Sequence, residues 1–200
     1  MRLLVATRNR HKLEEMRAIL QLPGVDLIGA DEVAGLPPDV AEDADTFAGN
    51  ALLKARVLCA ASGIWTLADD SGLEVDALGG APGVRSARYA GEPSDPAANN
   101  AKLLRALHGA ANRAARFRCA LALAAPDGRA WCVEGRCEGR IAHAAAGGGG
   151  FGYDPLFVPD GHARTFAELP AAEKHRLSHR GAALAAAAAQ WSGLLTGEGA

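Results

Sequence analysis

The apolar positions of this chain repeat with two periods, and the alternation of those periods lays out the elements. Leu3-Leu4-Val5-Ala6-Thr7 is a short unbroken apolar run, the pattern of a buried strand. A polar turn, Arg8-Asn9-Arg10-His11, separates it from Leu13, Met16, Ile19 and Leu20, which recur at helical spacing until Pro23-Gly24 ends the helix. Residues 25–30 form a second strand, and residues 35–45, rich in Pro, Asp and Glu, form a loop. Thr46 is placed to cap a helix that runs through Cys59 and Ala61 and stops at Gly63. Residues 65–68 then make a strand that delivers Asp69 and Asp70 at its carboxyl end.

Further on, residues 79–83 are a turn cluster, and Asp95-Pro96 opens a helix with Leu103, Leu104 and Leu107 on one side. Phe117, Cys119, Leu121 and Leu123 alternate as a half-buried strand does, and Pro126-Asp127-Gly128 turns the chain into a strand over residues 130–134. A glycine run at 147–150 precedes Phe151 and the apolar Leu156-Phe157-Val158. The last helix runs from His179 to Leu195 and is rich in alanine, and residues 196–200 read as a loose tail. Helices interleaved with strands, without an internal repeat, predict an α/β fold with a mixed sheet, in one domain over residues 1–200.

Composition narrows the function classes. Half of the 200 residues are apolar, enough for an independent core, and the formal net charge is −2. That balance argues against a protein that coats nucleic acid, but it is compatible with a small anionic ligand held by a few local cations. No apolar stretch reaches membrane-spanning length, and the first residues lack a signal-peptide layout. Cys59, Cys119, Cys132 and Cys137 show no CxxC spacing, so the expectation is a reduced, cytoplasmic protein.

Five groups of residues carry candidate chemistry. The acidic pair Asp69-Asp70, followed by Ser71-Gly72, comes first. Adjacent carboxylates at the end of a strand repel unless a cation neutralises them, and a divalent ion with oxygen ligands suits a phosphate substrate. The plain alternative is a polar strand end that caps the next turn. Glu42 is either a second metal carboxylate or a solvated loop acid. The turn Thr7-Arg8-Asn9-Arg10-His11-Lys12 lies where a strand meets a helix start, a position that favours anions; an ordinary basic turn capped by Asn9 is the alternative. Lys54, on the helix before the acidic strand, either reaches toward phosphates or lies on a solvated face. Phe151-Gly152-Tyr153-Asp154 after the glycine run offers a ring for stacking on a purine and a carboxylate for a base edge, or else a core Phe151 in a glycine-rich turn. Lys174, His179 and Arg180 concentrate donors ahead of the last helix, for a purine carbonyl or a phosphate oxygen, or as helix-surface charge.

Taken together, these segments resemble the inosine/xanthosine triphosphate pyrophosphatase family. The matching pieces are Thr7 to Lys12, Thr46-Phe47 with Asn50-Ala-Leu-Leu-Lys-Ala55, and Ala68-Asp-Asp-Ser-Gly-Leu73. Gly79-Gly-Ala-Pro-Gly83, Ser86-Ala-Arg-Tyr-Ala-Gly91, Gly150-Phe-Gly-Tyr-Asp-Pro155 and Ser178-His-Arg-Gly181 follow in the family's order. The resemblance implies a long twisted mixed sheet flanked by helices, two lobes with the active cleft between them, and a homodimer. It implies Mg²⁺-dependent hydrolysis of purine nucleoside triphosphates (ITP, dITP and XTP) to the monophosphate and pyrophosphate. It makes Asp70 the catalytic residue and a metal ligand, with Glu42 as the second ligand. Thr7, Arg8, Asn9, Arg10, His11, Lys12, Lys54 and Ser71 would hold the phosphates. Phe151, Gly152, Tyr153, Asp154, Lys174, His179 and Arg180 would surround base and sugar. Ala41, Ala44 and Gly49 depart from the family pattern, which leaves Asp43 or Asp45 as a possible substitute for Glu42. Rival readings are a pyrophosphatase for pyrimidine or modified nucleotides, a nucleotide-binding module without catalysis, and an RNA-binding domain.

Overall fold

Leu3, Leu4 and Val5 have no exposed surface, so the first strand must be covered on both faces, and it lies inside a six-stranded sheet. A computed structural model describes residues 1–196. β1 (Arg2–Val5) pairs in parallel with β2 (Asp26–Gly29) and with β3 (Thr66–Val75). β4 (Ala114–Ala124), β5 (Ala130–Ile141) and β6 (Phe157–Pro159) complete the order β2-β1-β3-β4-β5-β6. β5 and β6 run antiparallel, so the sheet is mixed, as the pattern predicted. The helices are α1 (Arg10–Ile19), α2 (Phe47–Ser62), α3 (Pro96–Ala106), α4 (Ala171–Leu177) and α5 (His179–Thr196).

Helix starts follow the caps in the sequence. Asn9 accepts from the N–H groups of His11 and Lys12, Thr46 from that of Gly49, and Asp95 from those of Ala97 and Ala98. Each such cap stabilises its helix by about 1 kcal/mol. Gly63, in the left-handed region at φ 67°, closes α2.

Four elements differ from expectation. β3 does not stop at Asp69-Asp70 but carries on to Val75, so the acids lie inside a strand. The β1 ladder, however, ends at Val5 opposite Leu67, which leaves the acids just past the carboxyl end of a parallel pair. β5 extends to Ile141, well beyond the predicted strand, and α4 occupies a stretch without helical apolar spacing. Thr196, expected in the loose tail, closes α5 with its hydroxyl on the Ser192 carbonyl at 2.9 Å; residues 197–200 lie outside the described residues.

The chain divides into two compact units. The first comprises Met1–Asp70, Cys119–Gly135 and the chain from Gly181 onward. Its core gathers Leu3, Val5, Met16, Leu67, Leu121, Leu184 and Trp191. The second comprises Ser71–Arg118 and Arg136–Arg180, with Leu73, Leu103, Phe117, Phe157 and Phe166 in its core. The boundary therefore falls within two motifs singled out above, after Asp70 and after Arg180.

Candidate active site

In the first unit, four segments bring charged side chains together. β3 supplies Asp69 and Asp70, the first turn of α1 supplies Lys12, α2 supplies Asn50 and Lys54, and the loop before α2 supplies Glu42. Asn50 and Lys54 are four residues apart and so share one face of α2. Lys12 Nζ lies 3.2 and 3.0 Å from the two Asp69 oxygens. Lys54 Nζ donates to Glu42 Oε1 at 2.9 Å. Asn50 accepts from the Ala44 N–H at 3.0 Å and donates from Nδ2 to Asp70 Oδ2 at 3.0 Å. Asn50, Lys54, Asp69 and Asp70 are all buried.

Burial sets the electrostatics. It pushes the Asp70 carboxyl above the ordinary value of 3.8, and the nearby Glu42 charge pushes the same way, against Lys54, the Asn50 hydrogen bond and Lys12. Burial also works against the Lys54 charge, but Asp69, Glu42 and Asp70 together outweigh it and hold the ammonium above 10.5. Formally, three carboxylates face two ammonium groups. Among the described residues, no group of three or more His, Cys, Asp or Glu side chains is arranged to hold a metal ion. Two carboxylates that repel each other, Glu42 and Asp70, fit a hard dication that takes its remaining ligands from phosphate and water, as Mg²⁺ does.

The turn before α1 is held by hydrogen bonds of its own. The Thr7 hydroxyl accepts from the Asn9 N–H at 3.1 Å, and the Asn9 side chain caps α1. Arg8 donates to the carbonyls of Pro37 and Pro38 and pairs with Asp31 at 3.5 Å. Arg10 and His11 are exposed. Lys12 is the member of this turn that joins the acidic cluster.

In the second unit, a ring and cations gather. Phe151 is half-buried. Lys174 Nζ lies 4.9 Å and the Arg180 guanidinium 5.6 Å from its ring centre. Asp154 Oδ2 accepts from the Phe151 N–H at 2.7 Å and from Lys174 Nζ at 2.8 Å. A side chain at Gly150 would collide with that oxygen, so the close approach requires glycine. Arg180 Nη2 donates to the Ser71 hydroxyl at 3.1 Å. His179 stacks on Phe117, with centres 4.6 Å apart and planes 12° apart. Tyr153 is buried and donates its hydroxyl to the Ser86 carbonyl at 2.9 Å; burial first, then Tyr89, pushes its ionisation well upward. Tyr153 thus serves the core, while Phe151, Lys174 and Arg180 form one stacked group.

Asn50 is the member of the first cluster that pattern reading passed over, although it lies in a matched motif. Its spacing of four from Lys54 was the available signal. Two of the departures from the family pattern also meet in space. A side chain at Gly49 would come within 2.8 Å of the Ala44 methyl, so the small residues at 44 and 49 go together.

The sequence match bears on all of these positions at once. Residues 3–190 match the model of the Ham1 family. The chain belongs to the Ham1 family. The resemblance read from the motifs therefore holds over nearly its whole length. A relative named dITP/XTP pyrophosphatase from Desulforamulus reducens is 51% identical over 186 residues, covering 92% of each chain. One of the same name from Streptomyces coelicolor is 53% identical over 189 residues, covering 92% of this chain and 94% of its own. The Ham1 protein of Staphylococcus aureus shares the fold with a TM-score of 0.86 at 37% identity, over 99% of this chain and 100% of that one. A solved nucleoside-triphosphatase, dITP/XTP pyrophosphatase, from Mycobacterium abscessus gives a TM-score of 0.77 at 48% identity, over 93% and 98%. This Ham1 chain thus has the family's mixed sheet with helices around it.

Proposed function

We propose that this protein is a nucleoside triphosphate pyrophosphatase that hydrolyses ITP, dITP and XTP to the monophosphate and pyrophosphate, and so clears nonstandard purine nucleotides. The observation that carries the reading is the cluster of buried Asp69, Asp70 and Lys54 with part-buried Glu42 and Lys12, in a chain about half identical to proteins named for this activity.

The chain's own residues divide the work. Lys12 and Lys54 are bound to Asp69 and Glu42, and they exchange those carboxylates for phosphate oxygens when substrate arrives. Glu42 and Asp70 would hold Mg²⁺, which when bound neutralises phosphate charge and draws the α-phosphorus toward attack. Asp70, held by Asn50, orients the attacking water. A carboxylate that also binds metal is a weak base, so Asp70 acts by positioning the water rather than by taking its proton. The cations over Phe151 provide donors for the 6-carbonyl that hypoxanthine and xanthine carry and adenine lacks. A site that pairs polar groups in this way can discriminate by about 10⁴-fold or more. The same reading includes a homodimer.

The test is a panel of ITP, XTP, GTP, ATP and UTP with pyrophosphate detection, in Mg²⁺ and in chelator. Pyrophosphate release confined to ITP and XTP, and lost in chelator, is expected. Equal rates with UTP would move the protein to the pyrimidine or modified-nucleotide class, and saturable ITP binding without product would make it a binding module.

A further inference from the structure

The loop at 151–154 is pinned residue by residue from elements of its own unit. The Phe151 N–H goes to Asp154 Oδ2 at 2.7 Å, the Tyr153 hydroxyl to the Ser86 carbonyl at 2.9 Å, and Asp154 Oδ2 receives Lys174 at 2.8 Å. Gly152 sits in the left-handed region at φ 62°. Its carbonyl accepts from Asn100 Nδ2, on α3, at 3.0 Å. The Asp154 N–H closes the turn on the Phe151 carbonyl at 3.2 Å, and the Asn100 bond ties the central peptide of that turn to α3.

The neighbouring amide on the same helix shows what a purely structural Asn looks like here. Asn99 accepts from the Ala90 N–H at 2.6 Å and donates to the carbonyls of Ser86 and Ala87 at 3.4 and 2.9 Å. Asn100 differs. Only its nitrogen can face the Gly152 carbonyl, which fixes the amide orientation, and Oδ1 is then buried without a hydrogen-bond partner among the described residues. A buried acceptor left in that state is destabilising and calls for an explanation beyond packing.

We propose that Asn100 is a positioning residue for the purine base. Through the Gly152 carbonyl it holds the Gly152–Tyr153 peptide of the turn that carries Phe151, and so the ring against which Lys174 and Arg180 stack. The inference rests on the reading of Phe151 as the base platform. A ring platform serves every purine alike, because each base presents a π-face. The effect of losing Asn100 must therefore appear in base binding and not in the reading of phosphates.

The experiment compares Asn100→Asp, Asn100→Ala and Asn100→Gln with the parent protein. Asn100→Asp keeps the shape and turns the donor into an oxygen facing a carbonyl; Asn100→Gln keeps a donor. KM and kcat are measured for ITP and ATP, and Ki for inorganic tripolyphosphate as a competitor without a base. For Asn100→Asp and Asn100→Ala the expected KM for ITP rises about 10-fold, the loss of one hydrogen bond. The ITP-to-ATP ratio and the tripolyphosphate Ki stay unchanged, and Asn100→Gln recovers part of the loss. KM and Ki do not depend on the active fraction, so partial unfolding of one variant leaves the comparison intact. An unchanged KM, or an equal rise in the tripolyphosphate Ki, overturns the proposal. A parent protein that fails to hydrolyse ITP would instead overturn the functional reading on which it rests.

Discussion

The two side-chain clusters solve the problem of buried charge in different ways. In the first unit, charge answers charge: Lys12 sits on Asp69, Lys54 on Glu42, and Asp70 takes the amide of Asn50. In the second unit, Lys174 and Arg180 lie against the face of Phe151, with Asp154 as the carboxylate that anchors Lys174. The contrast has a consequence for binding. On the proposed reading, a polyphosphate entering the first cluster would replace a carboxylate as the partner of each lysine, so its net gain would be far smaller than the raw attraction of lysine for phosphate. A flat base entering the second meets a ring and donors, and gains through stacking and polar fit. If the proposed function holds, the first cluster would turn over any triphosphate and the second would choose among them.

The largest effect expected breaks the first cluster alone. Asp70→Asn keeps the shape and removes the charge, and turnover of ITP should fall by about 10³-fold or more if Asp70 orients the water as proposed. The fold should not suffer. Burial raises the Asp70 pKa, so the native state binds this proton more tightly than the unfolded chain does. The charged form is thus a burden at neutral pH that disappears as the pH falls and the carboxyl protonates. The Asp70→Asn variant should melt about 1–3 °C higher at pH 7 in chelator, and the difference should shrink toward zero on acidification. A lower Tm at pH 7, or substantial residual turnover, would remove Asp70 from the role given to it.

A medium effect should separate the clusters. Arg180→Gln removes the guanidinium from the Phe151 face and its bond to Ser71. The ratio of kcat/KM for ITP over ATP should drop about 10- to 100-fold, the worth of one charged hydrogen bond, while inhibition by inorganic tripolyphosphate stays as it was. A ratio that does not move would place base selection elsewhere.

Legibility in the sequence followed the range of the interactions. Local signals worked. Thr46 and Gly63 bound α2, Asn9 and Asp95 cap their helices, and Pro126-Asp127-Gly128 makes the turn from β4 to β5. What failed depended on distant partners. A strand that runs through Asp-Asp-Ser-Gly looks broken in sequence, yet it continues because Lys12 and Asn50 satisfy the acids from two helices. The bonds from Arg8 to the Pro37 and Pro38 carbonyls likewise left no mark in the local pattern. The regular alternation of Phe117, Cys119, Leu121 and Leu123 concealed a change of core, since Phe117 packs in the second unit and the other three in the first.

The smallest effect is also the sharpest test of how the first cluster is tuned. Asn50 donates to the charged form of Asp70, so its hydrogen bond favours the carboxylate and opposes burial. Asn50→Ala removes that support and leaves Lys54 and Lys12 to act alone. The acid limb of kcat/KM, set by Asp70 and expected above pH 3.8 in the parent protein, should move to higher pH, while the rate on the plateau changes by less than about 10-fold. The sign decides the matter. A limb that moves to lower pH would mean that Asn50 stabilises the protonated acid, and an unmoved limb would mean that the limb reports some other group. Because Asn50 also receives the Ala44 N–H, the variant should lose about 1–3 kcal/mol of stability. That loss alone does not shift a pH limb, which separates tuning from scaffolding.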